Sequence, residues 1–211
     1  MKEKPSLLII GNSNVGKSSI TRLLLPNPSK FKGKTGKKPG STLLIKPISQ
    51  PTLPYKIVDL PGFGYLRQSS RRREEHIKNQ IVIHIERQYK DYFFGLVVIN
   101  ILRIEDEITK YYIQNKETIP LSFELIKFLK EFKIPLLVLI NKIDKISNND
   151  KKKAINFFVD SANEYGLSLT HLDEYNNETE IPYLEFSALK KTNLGKLKQI
   201  IHNFLKNIKK V

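Results

Sequence analysis

An octapeptide near the start of the chain has the residue types that bind phosphate groups. Gly11-Asn12-Ser13-Asn14-Val15-Gly16-Lys17-Ser18 follows the apolar run 7–10 and opens a helical pattern, which is the context of a P-loop. The glycines let backbone N–H groups point at phosphates, and the helix N-terminus adds partial positive charge. We expect Lys17 to bridge the β- and γ-phosphates and Ser18 to ligate Mg²⁺.

A second motif indicates which base the nucleotide carries, because a P-loop alone leaves kinases and ATPases open. Asn141-Lys142-Ile143-Asp144 stands at the end of the apolar run 135–140. The Asp144 carboxylate can accept hydrogen bonds from guanine N1–H and from the exocyclic amino group, a donor pair that adenine lacks. We expect Asn141 to brace the loop and contact the base, and the Lys142 stem to cover the face of the base. The two motifs in this order predict a guanine-nucleotide site.

Two further turns could complete this site. Asp59-Leu60-Pro61-Gly62 ends another apolar run, which would place the Asp59 carboxylate near Mg²⁺ and the Gly62 N–H near the γ-phosphate. Ser187-Ala188-Leu189-Lys190 follows the last predicted strand and could offer backbone N–H groups to guanine O6. Each of these sequences could also be an ordinary turn, because Pro-Gly and small polar residues are common in turns.

The elements that must position these residues alternate along the chain. Short apolar runs alternate with stretches of helical spacing, which predicts a doubly wound α/β fold with a mostly parallel six-stranded sheet and helices on both faces. In such a sheet, ligands bind at the carboxyl ends of the strands. Strands are predicted over residues 7–10, 43–48, 55–58, 95–102, 135–140 and 182–186. Helices are predicted over residues 17–25, 72–89, 122–131, 150–165 and 193–208.

Length, composition and charge limit the remaining possibilities. The 211 residues fit one domain, spanning 1–211, in which 104–120 reads as an inserted arm with its own short helix. The absence of cysteine excludes disulfides and thiolate metal sites, and no export signal or membrane span is expected. The net charge of +15 favours a polyanionic partner such as RNA, DNA or an anionic membrane, although a solvated lysine surface is the alternative. Basic residues cluster on both presumed switch segments, at Lys30, Lys32, Lys34, Lys37 and Lys38 and at Arg67, Arg71, Arg72 and Arg73.

The order of the motifs GNSNVGKS, PGST, DLPGFGY, NKID and SAxK resembles the translation-factor-related (TRAFAC) class of P-loop GTPases. DLPGFGY in particular is similar to the EngB family, and residues 119–144 look more like its archaeal members than its bacterial ones. The resemblance implies a cytoplasmic, Mg²⁺-dependent GTP/GDP switch that acts with ribosomal RNA or ribosomal subunits in large-subunit assembly. It also implies a role in normal cell division and septation.

The resemblance assigns roles to further residues. Within Pro39-Gly40-Ser41-Thr42, it implies that Gly40 and Ser41 lie at the nucleotide and that Thr42 is the switch I threonine, which ligates Mg²⁺ and touches the γ-phosphate. Lys17, Thr42 and Gly62 would then be the residues that act on the reacting phosphate. Asn14 matches a P-loop asparagine that helps hold a potassium ion in related GTPases, where the cation offsets developing charge.

One departure from Ras-like proteins concerns the rate of hydrolysis. Those proteins place a water-orienting glutamine directly after the glycine of this turn, whereas this chain has Phe63. We therefore expect slow intrinsic hydrolysis until a partner or an ion completes the site. The competing hypothesis is a nucleotide-gated interaction module at a division or membrane site with incidental hydrolysis. A small-molecule kinase is a third reading, which leaves NKID unexplained, and no oligomeric state is predicted.

Overall fold

The structure is a computed structural model that describes residues 3–31, 45, 47–62, 71–112, 119–176 and 179–208. Three predicted site residues, Gly40, Ser41 and Thr42, lie outside the described residues, and so does Phe63. The side chains of the two basic clusters on the presumed switch segments also lie outside what the structure describes.

Six described strands form one sheet in the order β2-β1-β3-β4-β6-β5, and all five neighbouring pairs are parallel. The central strand β3 is buried along its whole length, as expected for a parallel strand covered on both faces. The strands are β1 (Ser6–Gly11), β2 (Lys56–Asp59), β3 (Tyr92–Asn100), β4 (Leu136–Asn141), β5 (Leu169–His171) and β6 (Ile181–Glu185).

Six α-helices in the described part of the chain cover the sheet, and the alternation of side chains along each strand divides the core into two clusters. Leu7 and Ile9 face α1 and α6, whereas Leu8 and Ile10 face the cluster that contains residues of α2 to α5. None of the described helices is long and apolar enough to cross a membrane. The helices are α1 (Lys17–Leu24), α2 (Arg71–Gln88), α3 (Ile104–Tyr112), α4 (Leu121–Glu131), α5 (Asn148–Glu164) and α6 (Leu194–Ile208).

The predicted fold class is confirmed, with one difference in the set of strands. Of the predicted strand 43–48, residues 43, 44 and 46 lie outside the described residues. The described residue Ile48 forms an isolated antiparallel bridge with Ile57 on the outer side of β2. The sixth strand is instead β5, which sequence analysis missed. Its three residues are too few to show an alternating pattern, and only pairing with β6 makes them a strand.

The segment 104–120, predicted as an inserted arm, is described at both of its ends, whereas residues 113–118 lie outside the described residues. Its first part is the helix α3, so the prediction of a short helix here is confirmed. Ile104 and Ile108 of this helix are buried in the core, at 2% and 1% exposure. Because these two side chains pack inside the domain, α3 belongs to the helical layer and is able to position residues at the carboxyl edge of the sheet.

Candidate functional site

The P-loop connects the end of β1 to the start of α1. Gly16 caps α1 in the left-handed region at φ +106°, and a Cβ at this position would lie 2.3 Å from Asn141 Nδ2. Asn14 is also left-handed, at φ +62°, a conformation that asparagine adopts more readily than most residues. The local sequence therefore supplies the residues that this turn requires.

Lys17 lies in the interior of the loop, where it is almost completely buried. Its ammonium donates hydrogen bonds to the carbonyls of Gly11 at 2.9 Å and Asn12 at 2.7 Å. Burial lowers the pKa of Lys17 to about 8, and the Asp59 carboxylate opposes that shift. The cation is thus held by backbone oxygens of the loop itself.

Ser18 and Asp59 meet at the mouth of the loop, although they come from α1 and from the end of β2. The Ser18 hydroxyl donates to Asp59 Oδ2 at 3.0 Å. Asp59 Oδ1 is buried and has no hydrogen-bond partner among the described residues. Burial raises the pKa of Asp59, whereas the charge of Lys17 and the nearby hydroxyls of Ser18 and Thr21 act in the opposite direction.

The turn after β2 packs directly on the P-loop. Leu60 donates its N–H to Ile9, and Leu60 and Pro61 are buried. Gly62 lies so close to Ser13 that a Cβ on Gly62 would be 2.7 Å from Ser13 Cα. No larger residue fits at position 62 without displacing the loop, so the structure requires glycine where the sequence predicted a γ-phosphate contact.

Asn141 joins the P-loop to the turn after β6. Its Nδ2 donates to the Val15 carbonyl at 2.7 Å, and its Oδ1 accepts from the Ala188 N–H at 3.0 Å. The side chain is only 1% exposed. Asn141 thus braces the loop, and the P-loop, the NKID segment and the turn after β6 are held as one unit.

Lys142 and Asp144 extend from the end of β4 toward the same region. Lys142 is left-handed at φ +69° and its Nζ donates to the Asn14 carbonyl at 2.6 Å. Burial, followed by the nearby Arg103 charge, lowers the pKa of Lys142. The Asp144 carboxylate is 8% exposed and accepts a hydrogen bond from Ser187 Oγ at 2.6 Å. The carboxylate therefore has a fixed orientation between β4 and β6.

The turn 187–190 is held in shape around Ser187. The Ser187 hydroxyl accepts from the Lys190 N–H at 3.0 Å while it donates to Asp144. Leu189 lies at the tip of the turn and is 66% exposed. The turn that sequence alone left ambiguous is thus bonded to both Asn141 and Asp144.

A residue that sequence analysis did not select, Glu107 of α3, also reaches the P-loop. Its Oε2 accepts a hydrogen bond from Asn12 Nδ2 at 3.0 Å, and its Oε1 accepts from the Ser122 N–H at 2.9 Å. A cavity of about 560 Å³ lies beside these groups, between the loop, the end of β3, α3 and α4. Its lining includes Asn12, Val97, Ile99, Glu107, Ser122 and Leu125.

Comparison with known proteins shows the family. Residues 6–142 match the family described as 50S ribosome-binding GTPase. A probable GTP-binding protein EngB from Pyrococcus horikoshii is 31% identical over 201 residues, which are 95% of this chain and 84% of that protein. The chain belongs to this EngB family.

Other EngB relatives differ in how much of them the chain covers. It is 35% identical to the Methanococcus aeolicus protein and 31% identical to the Methanococcus maripaludis protein, and it spans 66% and 61% of their lengths. Among solved structures, that of a probable GTP-binding protein EngB is 29% identical, with a TM-score of 0.75 over 96% of this chain and 99% of the other. Era from Aquifex aeolicus, at 21% identity and a TM-score of 0.60, shares the fold.

In this chain, the P-loop and NKID motifs could be identified from the sequence, but Glu107 could not. It is one of three consecutive acidic residues at the start of α3, Glu105, Asp106 and Glu107. Nothing in the sequence separates the residue that touches the P-loop from the two that do not. Its partner Ser122 contributes a backbone group, which leaves no signature in the sequence at all.

Proposed function

We propose that this chain is a GTP-binding switch that hydrolyses GTP slowly with Mg²⁺ and acts in assembly of the large ribosomal subunit. The observation that supports it most strongly is the Asp144 carboxylate, oriented by Ser187 and connected to the P-loop through Asn141. A fixed carboxylate can accept from both guanine donors at once, and a site built for such donors rejects bases that lack them. Family membership supports the same reading.

Lys17 has the most direct role in the proposed phosphate site. To contact the β- and γ-phosphates, its ammonium would exchange the carbonyls of Gly11 and Asn12 for phosphate oxygens. The N–H groups of the loop and the N-terminus of α1 would add partial positive charge. Gly62, held against Ser13, would present its N–H to the γ-phosphate. These groups bind and orient the phosphates without themselves forming a covalent bond.

The residues around Ser18 fit a magnesium ion. Mg²⁺ prefers oxygen ligands, and the buried Oδ1 of Asp59 has no hydrogen-bond partner in the described part of the chain. Ser18 and Asp59 would hold the ion together with Thr42, whose structure is not described. When bound, the ion neutralises charge on the phosphate oxygens. The assignment of Thr42 rests on the resemblance of its motif, Pro39-Gly40-Ser41-Thr42.

We further propose that hydrolysis is slow, at or below about 10⁻⁴ per second without a partner. The residue after Gly62 is Phe63, which has no group that can orient a water molecule. A potassium ion near Asn14 is the proposed supplement, and Asn14 is exposed with its backbone carbonyl bonded to Lys142. Equal hydrolysis rates in potassium and sodium buffers would rule out this part of the proposal.

Replacement of Asp144 tests the base assignment. Asp144→Asn exchanges a carboxylate for an amide that can donate to a carbonyl, so it should bind xanthine nucleotides in place of guanine nucleotides. We expect roughly a hundredfold loss of GDP affinity, since two charge-assisted hydrogen bonds are affected. Titrations with fluorescent GDP and with fluorescent xanthosine diphosphate measure the two affinities. Asp160→Asn, on the exposed face of α5, is the matched control. Unchanged GDP binding by Asp144→Asn would contradict the assignment.

The ribosomal partner is supported by the net charge of +15 and by the description of the matching family. Phosphate contacts of a basic surface weaken steeply with salt. We expect the protein to sediment with large ribosomal subunits when a non-hydrolysable GTP analogue is present, and not when GDP is present. We also expect at least a tenfold loss of affinity between 50 and 200 mM salt, as roughly three or more phosphate contacts imply. A cytoplasmic location follows from this partner.

The same experiment separates the alternatives. Binding that is identical with GTP analogue and GDP, or that persists unchanged at high salt, would contradict a nucleotide-controlled ribosomal switch. Binding to anionic vesicles in place of subunits would favour the interaction module at a division or membrane site. The proposed involvement in cell division and septation then needs a depletion experiment in cells, in which ribosomal subunit profiles and cell length are followed together.

A further inference from the structure

Glu107 is a single carboxylate that bonds two parts of the site which are distant in sequence. One oxygen accepts from the side chain of Asn12 in the P-loop at 3.0 Å, and the other accepts from the backbone N–H of Ser122 in the first turn of α4 at 2.9 Å. Both bonds are charge-assisted on the acceptor side, the stronger class of hydrogen bond in proteins. The side chain is half-buried, so water competes with these bonds only in part.

At the α4 end, Glu107 replaces a cap that the helix itself does not have. The residue at the N-cap position is Pro120, which makes no side-chain capping bond. The first N–H groups of a helix have no partner within the helix, and the helix dipole favours negative charge there. Glu107 satisfies one of these donors, so the start of α4 is fixed to α3 through this carboxylate.

At the P-loop end, Glu107 and Lys17 both bind Asn12, Glu107 through the side chain and Lys17 through the backbone carbonyl. Lys17 Nζ donates to the Asn12 carbonyl at 2.7 Å, while the Asn12 side chain donates to Glu107. A phosphate that attracts Lys17 would remove the first of these bonds and leave the second. The bond to Glu107 would then be the one that keeps Asn12 in place.

The cavity beside the loop is what makes this bond important. Asn12, Glu107 and Ser122 all line the cavity of about 560 Å³. A loop that faces a cavity is supported there by fewer packed atoms than a loop that lies against a filled core. On this side, support of the P-loop depends on the hydrogen bond between Asn12 and Glu107 more than on packing.

We propose that Glu107 is a positioning residue that fixes the P-loop to the start of α4, so that the tightness of nucleotide binding depends on where α3 and α4 lie. This inference rests on the proposed nucleotide-binding function. It implies that a partner that moves α4 away from α3 would accelerate nucleotide release without touching the nucleotide.

Three substitutions separate the positioning role from simple support of the fold. Glu107→Ala should release GDP about tenfold faster and bind it about tenfold more weakly, as loss of a charge-assisted bond implies. Asn12→Ala should accelerate release to a similar degree while it leaves the cap on α4 intact. Glu107→Gln should restore much of the affinity, because its amide oxygen can accept from Ser122 while its NH₂ donates to a flipped Asn12 amide.

The measurements are GDP dissociation by stopped-flow fluorescence and unfolding in urea. Glu105→Ala is the matched control, since Glu105 is an exposed acid on the same turn of α3. Glu107→Ala combined with Asn12→Ala should release GDP no faster than either single variant, because both remove the same bond. Reduced stability with unchanged GDP release in Glu107→Ala would overturn the inference and leave the proposed function standing. No GDP binding by the unaltered chain would overturn both.

Discussion

Lys17 is a buried cation whose protonation depends on the groups beside it. Burial lowers its pKa to about 8, with Asp59 opposing the shift. A phosphate group beside the ammonium would favour the protonated form and raise the pKa again. Binding of a nucleotide above pH 8 should therefore take up a proton. An unfolded chain also holds more protons on this lysine between about pH 8 and its ordinary value of 10.5, so the cost of burying the charged Lys17 falls, and the stability of the fold rises, as pH increases through this window.

GDP affinity should accordingly fall as pH rises from 7 to 8.5. With a pKa of about 8 for Lys17, about a quarter of the molecules carry the charged form at pH 8.5, which predicts about fourfold weaker binding. The range stays below the pH at which guanine N1 itself titrates. Calorimetric titration in two buffers with different ionisation heats measures affinity and proton uptake together. An affinity that stays constant from pH 7 to 8.5, with a binding enthalpy that is the same in both buffers, would contradict the prediction.

Gly16 should tolerate no side chain. Its φ is +106°, and an added Cβ would lie 2.3 Å from the Asn141 amide that braces the loop. We expect Gly16→Ala to weaken GDP binding at least tenfold and to lower the free energy of unfolding by about 1 kcal/mol or more. The control is Gly195→Ala in α6, where a Cβ meets nothing within 4 Å, and this change should stabilise the helix by up to about 1 kcal/mol. Equal effects of the two substitutions would contradict the steric argument.

The segment that contains Thr42 lies between Asn27 and Gln50, and these two residues are hydrogen-bonded to each other. The Gln50 side chain accepts from the Asn27 N–H at 2.9 Å and donates to the Asn27 carbonyl at 2.8 Å, as a neighbouring strand would. Lys4 Nζ donates to the carbonyl of Gln50 at 3.0 Å and to that of Leu53 at 2.6 Å. These bonds form a clamp at the base of the connection between α1 and β2.

Loss of this clamp should be measurable as a loss of stability. Gln50 is buried, and Gln50→Ala would leave the Asn27 N–H and carbonyl without their partner. We expect the free energy of unfolding to fall by about 1–3 kcal/mol, measured by urea titration. Gln199→Ala, on the exposed surface of α6, should change it by less than about 0.5 kcal/mol. If the two variants unfold at the same urea concentration, the clamp contributes nothing to stability.

At the scale of elements, the sequence predicted the long buried strands and the amphipathic helices well and the short elements poorly. β1 and β4 are continuous apolar runs, which covered parallel strands require. β5 has three residues and exists through its pairing with β6. α3 was predicted as part of an insertion, because its charged first turn conceals the two isoleucines that reach the core. Local pattern cannot report contacts that only the tertiary fold creates.

The candidate site was predictable for a reason that belongs to the whole molecule. β1, β2, β4 and β6 are parallel, so the segments that follow them must meet at one edge of the sheet. This explains why Asp59 and Ser18 lie in hydrogen-bond contact although 41 residues separate them. The details that sequence could not supply are those made by backbone groups or by one acid among several, as at Ser122 and Glu107.

Nucleotide binding should stabilise the whole fold, since the site connects α1 and the ends of several strands. GDP at a hundred times its dissociation constant should add about 2.7 kcal/mol to the free energy of unfolding. For a chain of 211 residues this raises the melting temperature by roughly 5–10 °C. Thermal unfolding followed by circular dichroism measures the shift, with ADP at the same concentration as the control. An equal shift with ADP, or none with GDP, would contradict guanine-specific binding.

The strand order also governs when the molecule can assemble during synthesis. β1 is made first, yet it lies between β2 and β3, and Leu8 pairs with Gly95 far along the chain. Parallel neighbours cannot join through a tight turn, so each pairing closes a long loop, and such topologies fold slowly. A nascent chain that has not yet released β3 from the ribosome has no centre around which to build its sheet. The P-loop at the end of β1 would then gain its fixed shape only after β3, which ends at Asn100, has emerged, and not when its own residues do.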